Sequence, residues 1–95
     1  MAIVEVTAFT LAGDENDFLA ADKRMQTDFA YQQPGLLRRT TARGDDRQWL
    51  VLTLWADMAS AEASERRAGD DEIARDFASY IEPNSLRTKR FATLE

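Results

Sequence analysis

Trp49-Leu50-Val51-Leu52-Thr53-Leu54-Trp55 is the stretch on which the fold of this chain turns. Side chains of a strand alternate between its faces, so Leu50, Leu52 and Leu54 share one side and Trp49, Val51, Thr53 and Trp55 the other. Neither row suits water, which places this strand inside a layered structure. Upstream, Gly44-Asp45-Asp46 has turn chemistry and Leu36 to Arg43 (LLRRTTAR) reads as a strand, so the two strands form a hairpin. Downstream, Asp57 is placed to cap a short helix through Met58, Ala61 and Ala63 to about Arg67, stopped by Gly69.

Further out, Ala2 to Leu11 (AIVEVTAFTL) is β-branched and apolar on both parities apart from Glu5 and some threonines, which predicts another central strand. Gly13-Asp14 breaks it, and Asp14, Glu15 and Asp17 open a helix whose stripe is Phe18, Ala21, Met25 and Phe29, running to about Gln32 before Pro34-Gly35. Asp70, Asp71 and Glu72 start a last helical stretch with Ile73, Phe77, Tyr80 and Ile81, closed by Pro83-Asn84, and Leu86 to Leu94 reads as a fourth strand. The order is β-α-β-β-α-α-β in a single domain over 1–95. It predicts an α+β, ferredoxin-like antiparallel sheet with helices on one face.

Composition narrows the chemistry. The 95 residues include no His and no Cys, which removes the common zinc sites, disulfides, Cys or His nucleophiles and His-ligated haem. Purified protein is expected to hold no stoichiometric metal and no cofactor. The net charge of −5 argues against nucleic acid as a partner. No stretch is apolar enough for a membrane helix, and the N-terminal run lacks the pattern of a secretory signal; the expectation is a cytoplasmic protein with no membrane partner.

Since both crossovers of this topology land on one side of the sheet, the second apolar row of the third strand needs another cover. Exposing three leucines would forfeit roughly 1.5–3 kcal/mol each. The expected answer is a homodimer packed sheet against sheet. Which row meets the helices is left open by the sequence; the leucine row is assigned to the dimer seam on its dryness alone.

Gln33-Pro34-Gly35-Leu36-Leu37, the hairpin, and then Trp55-Ala56-Asp57-Met58-Ala59-Ser60-Ala61-Glu62-Ala63 resemble the antibiotic biosynthesis monooxygenase superfamily. The resemblance implies a dimeric α+β barrel with a cavity between sheet and helices in each subunit. Several members oxidise phenols or quinols with molecular oxygen and no metal or flavin; others degrade haem. The family often carries a His on the helix after the strand-ending Trp, and counting on from Trp55 that position falls on Ser64 or Glu65. Haem degradation therefore loses its axial ligand, and Val6 and Thr7 stand where haem-degrading relatives use an Asn.

The resemblance implies a cofactor-independent monooxygenase acting on a small hydroxylated aromatic or quinol. The alternative is a non-catalytic dimer of the same fold that binds a small apolar molecule or serves as an accessory subunit. Candidate ligand-binding residues are Trp55, Thr53 and Trp49 on one strand face, with Phe29, Phe77 and Tyr80 from the helices, because a planar ligand wants aromatic walls and a few placed polar groups. Glu5 is a carboxylate inside an apolar strand and needs a partner, Arg38, Arg39, Arg87 or Arg90; it is a weak catalytic candidate as the base for a phenolic proton. Each aromatic also has a plain reading as core, and the arginines at 38, 39, 43 and 47 read as a solvated hairpin.

Overall fold

The computed structural model describes residues 1–94. Four strands, β1 (Ile3–Thr10), β2 (Leu36–Arg43), β3 (Gln48–Trp55) and β4 (Arg87–Ala92), form an antiparallel sheet in the order β2-β3-β1-β4. Helices α1 (Glu15–Arg24), α2 (Met58–Ala68) and α3 (Glu72–Ala78) occupy the crossovers. This is the ferredoxin-like α+β fold.

Each α-helix begins on an aspartate. Asp14, Asp57 and Asp71 accept the backbone N–H three residues on, at 3.0, 2.8 and 2.9 Å, satisfying donors that a helix start leaves unpaired. The first helix is not α-helical to Gln32 as its stripe suggests. It becomes a π turn over Met25–Phe29 and a 3-10 turn over Ala30–Gln32. Thr27 lies at this change and returns its hydroxyl to the Lys23 carbonyl at 3.0 Å, the kind of back-bond that loosens a helix. The last helix is also shorter than its apolar stripe. Tyr80 and Ile81 leave it to tie to β1's end, Ala12 N–H donating to the Tyr80 carbonyl at 2.7 Å and Leu11 bridging Ile81.

The Trp row of β3 meets the helices. Trp49, Val51, Thr53 and Trp55 are buried, while Leu50 and Leu52 are each 36% exposed on the open face. Those leucines already lose most of their water contact to sheet neighbours, so leaving the face open costs less than the sequence argument assumes. Around them stand Val4, Val6 and Ala8 of β1, with Phe91 of β4 55% exposed.

The helix side divides into two ends. Near the β2–β3 turn, Phe9, Leu11, Phe18, Trp49, Val51 and Phe77 form a filled core, with Phe18 fully buried and its ring 4.9 Å from that of Trp49. At the other end only Ile3, Trp55 and Ala61 are buried together, flanked by Leu36. Small residues at Ala61, Ser64 and Ala68 of α2 and Ala74 and Ala78 of α3 cannot fill this second end. A cavity of about 270 Å³ opens there.

Candidate functional site: a cavity beside Trp55

The floor of the cavity is the sheet and its roof is α2, α3 and the turn after α1. The walls are mostly apolar, with Met25, Phe29, Trp55, Phe77 and Ile81 among them, and a few polar groups enter from the strands. This composition, and a volume near the lower end of the ~300–1,000 Å³ range of ligand sites, suit a small ligand.

Glu5 sits on central β1 with its side chain only 15% exposed. Its Oε2 accepts from Arg90 Nε at 2.6 Å, and its Oε1 lies 3.4 Å from the Trp55 indole N–H. Arg90 reaches on to Glu65 of α2 at 3.0 Å, so one guanidinium joins β1, β4 and the roof helix. Burial opposes the charge on Arg90, but the hydrogen bond and charge of Glu5, joined by Glu65, outweigh it and raise the Arg90 pKa above its ordinary value. Arg90 is the partner among the four arginines that the strand register selects, because it stands directly across from Glu5.

A second ion pair flanks the cavity on the β2 side. Arg39 Nη2 donates to Asp22 Oδ1 at 2.9 Å, Nη1 donates to Gln26 Oε1 at 3.2 Å, and the guanidinium lies 5.4 Å from the Phe77 ring centroid. The side chain is 4% exposed. The expectation of a solvated arginine patch on the hairpin is corrected at Arg39 alone, which is core; Arg38, Arg43 and Arg47 are exposed, Arg43 pairing with Glu15 at 2.8 Å and Arg47 donating to the Leu11 and Gly13 carbonyls.

Trp55, Thr53, Phe29, Phe77 and Glu5 all line the cavity. Trp49 and Tyr80 do not. Six residues along a strand separate Trp49 from Trp55 by about 20 Å, too far for both to wall one small cavity. Trp49 instead pairs with Phe9 in the filled core, its indole N–H buried without an acceptor among the described residues. Tyr80 packs its ring 6.2 Å from that of Phe18, beside Gly13.

Arg39, Ser64, Glu65 and Leu86 line the cavity without having been singled out as ligand contacts. Ser64 was visible as one member of the small-residue stripe Ala61, Ser64, Ala68 on one face of α2. It is 8% exposed, at the helix position where a His was sought. Among the described residues no group of three or more Asp, Glu, His or Cys side chains is arranged to hold a metal, and no helix is long and apolar enough to cross a membrane.

No protein-family model and no curated protein matches this chain by sequence. Solved structures do match it in shape. SnoaB, a cofactor-independent oxygenase of Streptomyces nogalater, superposes with a TM-score of 0.82 at 20% identity, over 99% of this chain and 94% of that one. A proposed antibiotic biosynthesis monooxygenase of Bordetella bronchiseptica gives 0.79 at 14% identity, over 99% and 98%. A dimeric ferredoxin-like protein of unknown function from Jannaschia gives 0.72 at 10% identity, over 98% and 100%. The chain thus has the fold of the antibiotic biosynthesis monooxygenase proteins, ferredoxin-like in architecture.

Proposed function

We propose that this protein is a cofactor-independent monooxygenase whose cavity beside Trp55 takes a small hydroxylated aromatic or quinol. The observation that carries the reading is the pairing of a largely apolar cavity with a single sheltered carboxylate, Glu5, whose Oε1 keeps lone pairs free beside the Trp55 ring. The oxygenases that share the fold support it by analogy.

In this reading Glu5 accepts the phenolic proton, since a phenolate gives up an electron to oxygen more readily than a phenol. One electron passes from phenolate to O2, the two radicals join at a ring carbon as a peroxide that takes back the proton held by Glu5, and loss of water from the hydroperoxide leaves a carbonyl there. One oxygen atom ends in the product and the other in water, and the substrate loses two hydrogens. Trp55 contributes stacking and exclusion of water, because an indole offers only an N–H donor.

A second copy covering the open face completes the proposal. The apolar row of Val4, Val6, Leu50, Leu52, Leu54 and Phe91 supports it, as does the dimeric protein among the structural neighbours. Glu5's ion pair with Arg90 favours a second reading, a non-catalytic binding or accessory dimer of the same fold, because a carboxylate that ties β1 to β4 through Arg90 already has a structural role.

Oxygen uptake in an oxygen electrode, with a panel of quinols and naphthols, separates the two. The expected result is uptake that falls at least tenfold in Glu5→Gln, with one atom of 18O2 in the product. Binding without uptake across the panel leaves the second reading standing.

A further inference from the structure

The helix-facing side of the sheet carries one continuous polar row. Arg39 on β2 stands across from Thr53 on β3, Thr53 from Glu5 on β1, and Glu5 from Arg90 on β4. All four line the cavity. The register puts apolar or small residues, Leu36, Trp55, Ile3 and Ala92, in the row on one side, so the charges converge in a single band of the floor. Strands are spaced about 4.8 Å apart. A ring system lying over Thr53 therefore meets a cation on its β2 side and a carboxylate on its β1 side.

The two cations of the row are not equivalent. Arg90 is bound to Glu5 and Glu65 with its side chain 19% exposed, so water can reach its remaining donors, whereas the Arg39 side chain is 4% exposed. Arg39 carries five N–H donors. Its Nη1 serves Gln26 and Thr41 and one Nη2 hydrogen serves Asp22, which leaves Nε–H and the second Nη2 hydrogen without an acceptor among the described residues. Among the described residues Trp49 Nε1 is the one buried polar side-chain atom without a partner. Arg39 Nε is therefore not sealed in the core but stays accessible on a residue that lines the cavity, where a ligand oxygen can supply the acceptor. The Thr53 hydroxyl beside it, in a residue 6% exposed, has no protein partner among the described residues either.

We propose that Arg39 and Thr53 set the orientation and selectivity of the cavity: they hold an acceptor oxygen, a carbonyl or phenolate, at the β2 end while Glu5 receives an O–H donor at the other. The ligands chosen are planar aromatics with a carbonyl and a hydroxyl on opposite ends. Arg39 acts as a specificity-determining residue and takes no part in proton transfer. The inference rests on the cavity being a site for hydroxylated aromatics.

Three probes test it by titration calorimetry: 2-naphthol carries the donor end alone, 6-acetyl-2-naphthol carries both ends, and 6-acetyl-2-methoxynaphthalene carries the acceptor alone. In the wild type 6-acetyl-2-naphthol binds about tenfold or more tighter than 2-naphthol, the usual worth of a hydrogen bond to a charged group. The methoxy compound loses the donor to Glu5 and binds more weakly than 6-acetyl-2-naphthol. Arg39→Lys keeps a cation for Asp22 but lacks the planar fork, so the tenfold advantage collapses there while 2-naphthol binds as before. Thr53→Val removes one hydroxyl at nearly constant shape and lowers the advantage too, which keeps the test open if Arg39→Lys does not fold. Binding of 2-naphthol with no acetyl advantage, or an advantage that survives both substitutions, overturns the inference alone. Failure of every probe to bind at millimolar concentration overturns it together with the reading of the cavity.

Discussion

Replacing Gly35 by Ala probes the joint on which the roof of the cavity hangs. Gly35 has φ +85°, and a Cβ built on it would lie 2.1 Å from Ser60 Oγ and 2.5 Å from Ser60 Cβ. Its carbonyl meanwhile accepts the Ala56 N–H at 2.8 Å. The backbone term alone costs about 1–2 kcal/mol, because an L side chain in the left-handed region crowds the following carbonyl. The overlap with Ser60 adds the cost of overpacking, about 1–3 kcal/mol. Together these take roughly 2–5 kcal/mol from a domain whose total stability is of the order of 5–15 kcal/mol.

Ser60 cannot retreat freely, since its hydroxyl and backbone N–H both hold Asp57 at the start of α2. Relief therefore means shifting α2, and with it Ala61, Ser64, Glu65 and Ala68 over the cavity. Urea unfolding of a double-mutant cycle with Ser60→Gly reads the two terms separately. In the Ser60→Gly background the collision is gone and Gly35→Ala costs only the backbone term, about 1–2 kcal/mol. A loss below about 0.5 kcal/mol in the wild-type background, or no coupling to Ser60, refutes the account of this turn.

Trp55→Phe keeps a ring but loses the indole face, so binding of a naphthol weakens by about 0.5–1.5 kcal/mol, whereas Trp49→Phe leaves affinity unchanged and removes a buried donor that has no acceptor among the described residues; calorimetry with 2-naphthol compares them. Phe18→Ala empties the centre of the filled core, touching the rings of Phe9, Trp49, Phe77 and Tyr80, and costs about 3–5 kcal/mol by urea unfolding. Leu52→Arg places a charge in the middle of the proposed seam, and light scattering at micromolar concentration should show a folded monomer; an unchanged dimer removes the open face from the interface. Asp57 carries a pKa below the ordinary 3.8, held down by the Ser60 hydroxyl and N–H. Its folded pKa is depressed, so its contribution is full above the unfolded value and is lost as pH falls through the folded one. The melting-temperature gap between wild type and Asp57→Ala should therefore be present at neutral pH and close below about pH 3.8.

What the sequence made legible, and what it hid, follows from how local each signal is. Alternation in Trp49–Trp55, the three aspartate caps and the Pro34-Gly35 stop are written in adjacent residues, and the elements appear where those residues put them. Which row of β3 meets the helices is not local: it depends on the hand of two crossovers, and two apolar rows look alike until the helices choose. Trp49 and Trp55 share a face and so look like one site, yet strand rise carries them to opposite ends of it. Arg39 is the sharpest case. The strand register shifts between Leu36 and Arg38, so that Leu36 faces Trp55 while Arg39, not Arg38, faces Thr53. Strict alternation from Leu36 would have turned Arg38 inward and left Arg39 in water. One irregular residue, Leu37, 58% exposed, therefore decides which of two neighbouring arginines enters the cavity, completes the row with Thr53 and Glu5, and gives the β2 end of the floor its positive charge. Taking Leu37 into a regular ladder would turn the rest of β2 over, exchanging Arg39, Thr41 and Arg43 for Arg38, Thr40 and Ala42 on the helix side. Arg38 would then enter one residue along the strand, and the bonds that fix Arg39 to Asp22 and Gln26 and its place by the Phe77 ring would be lost.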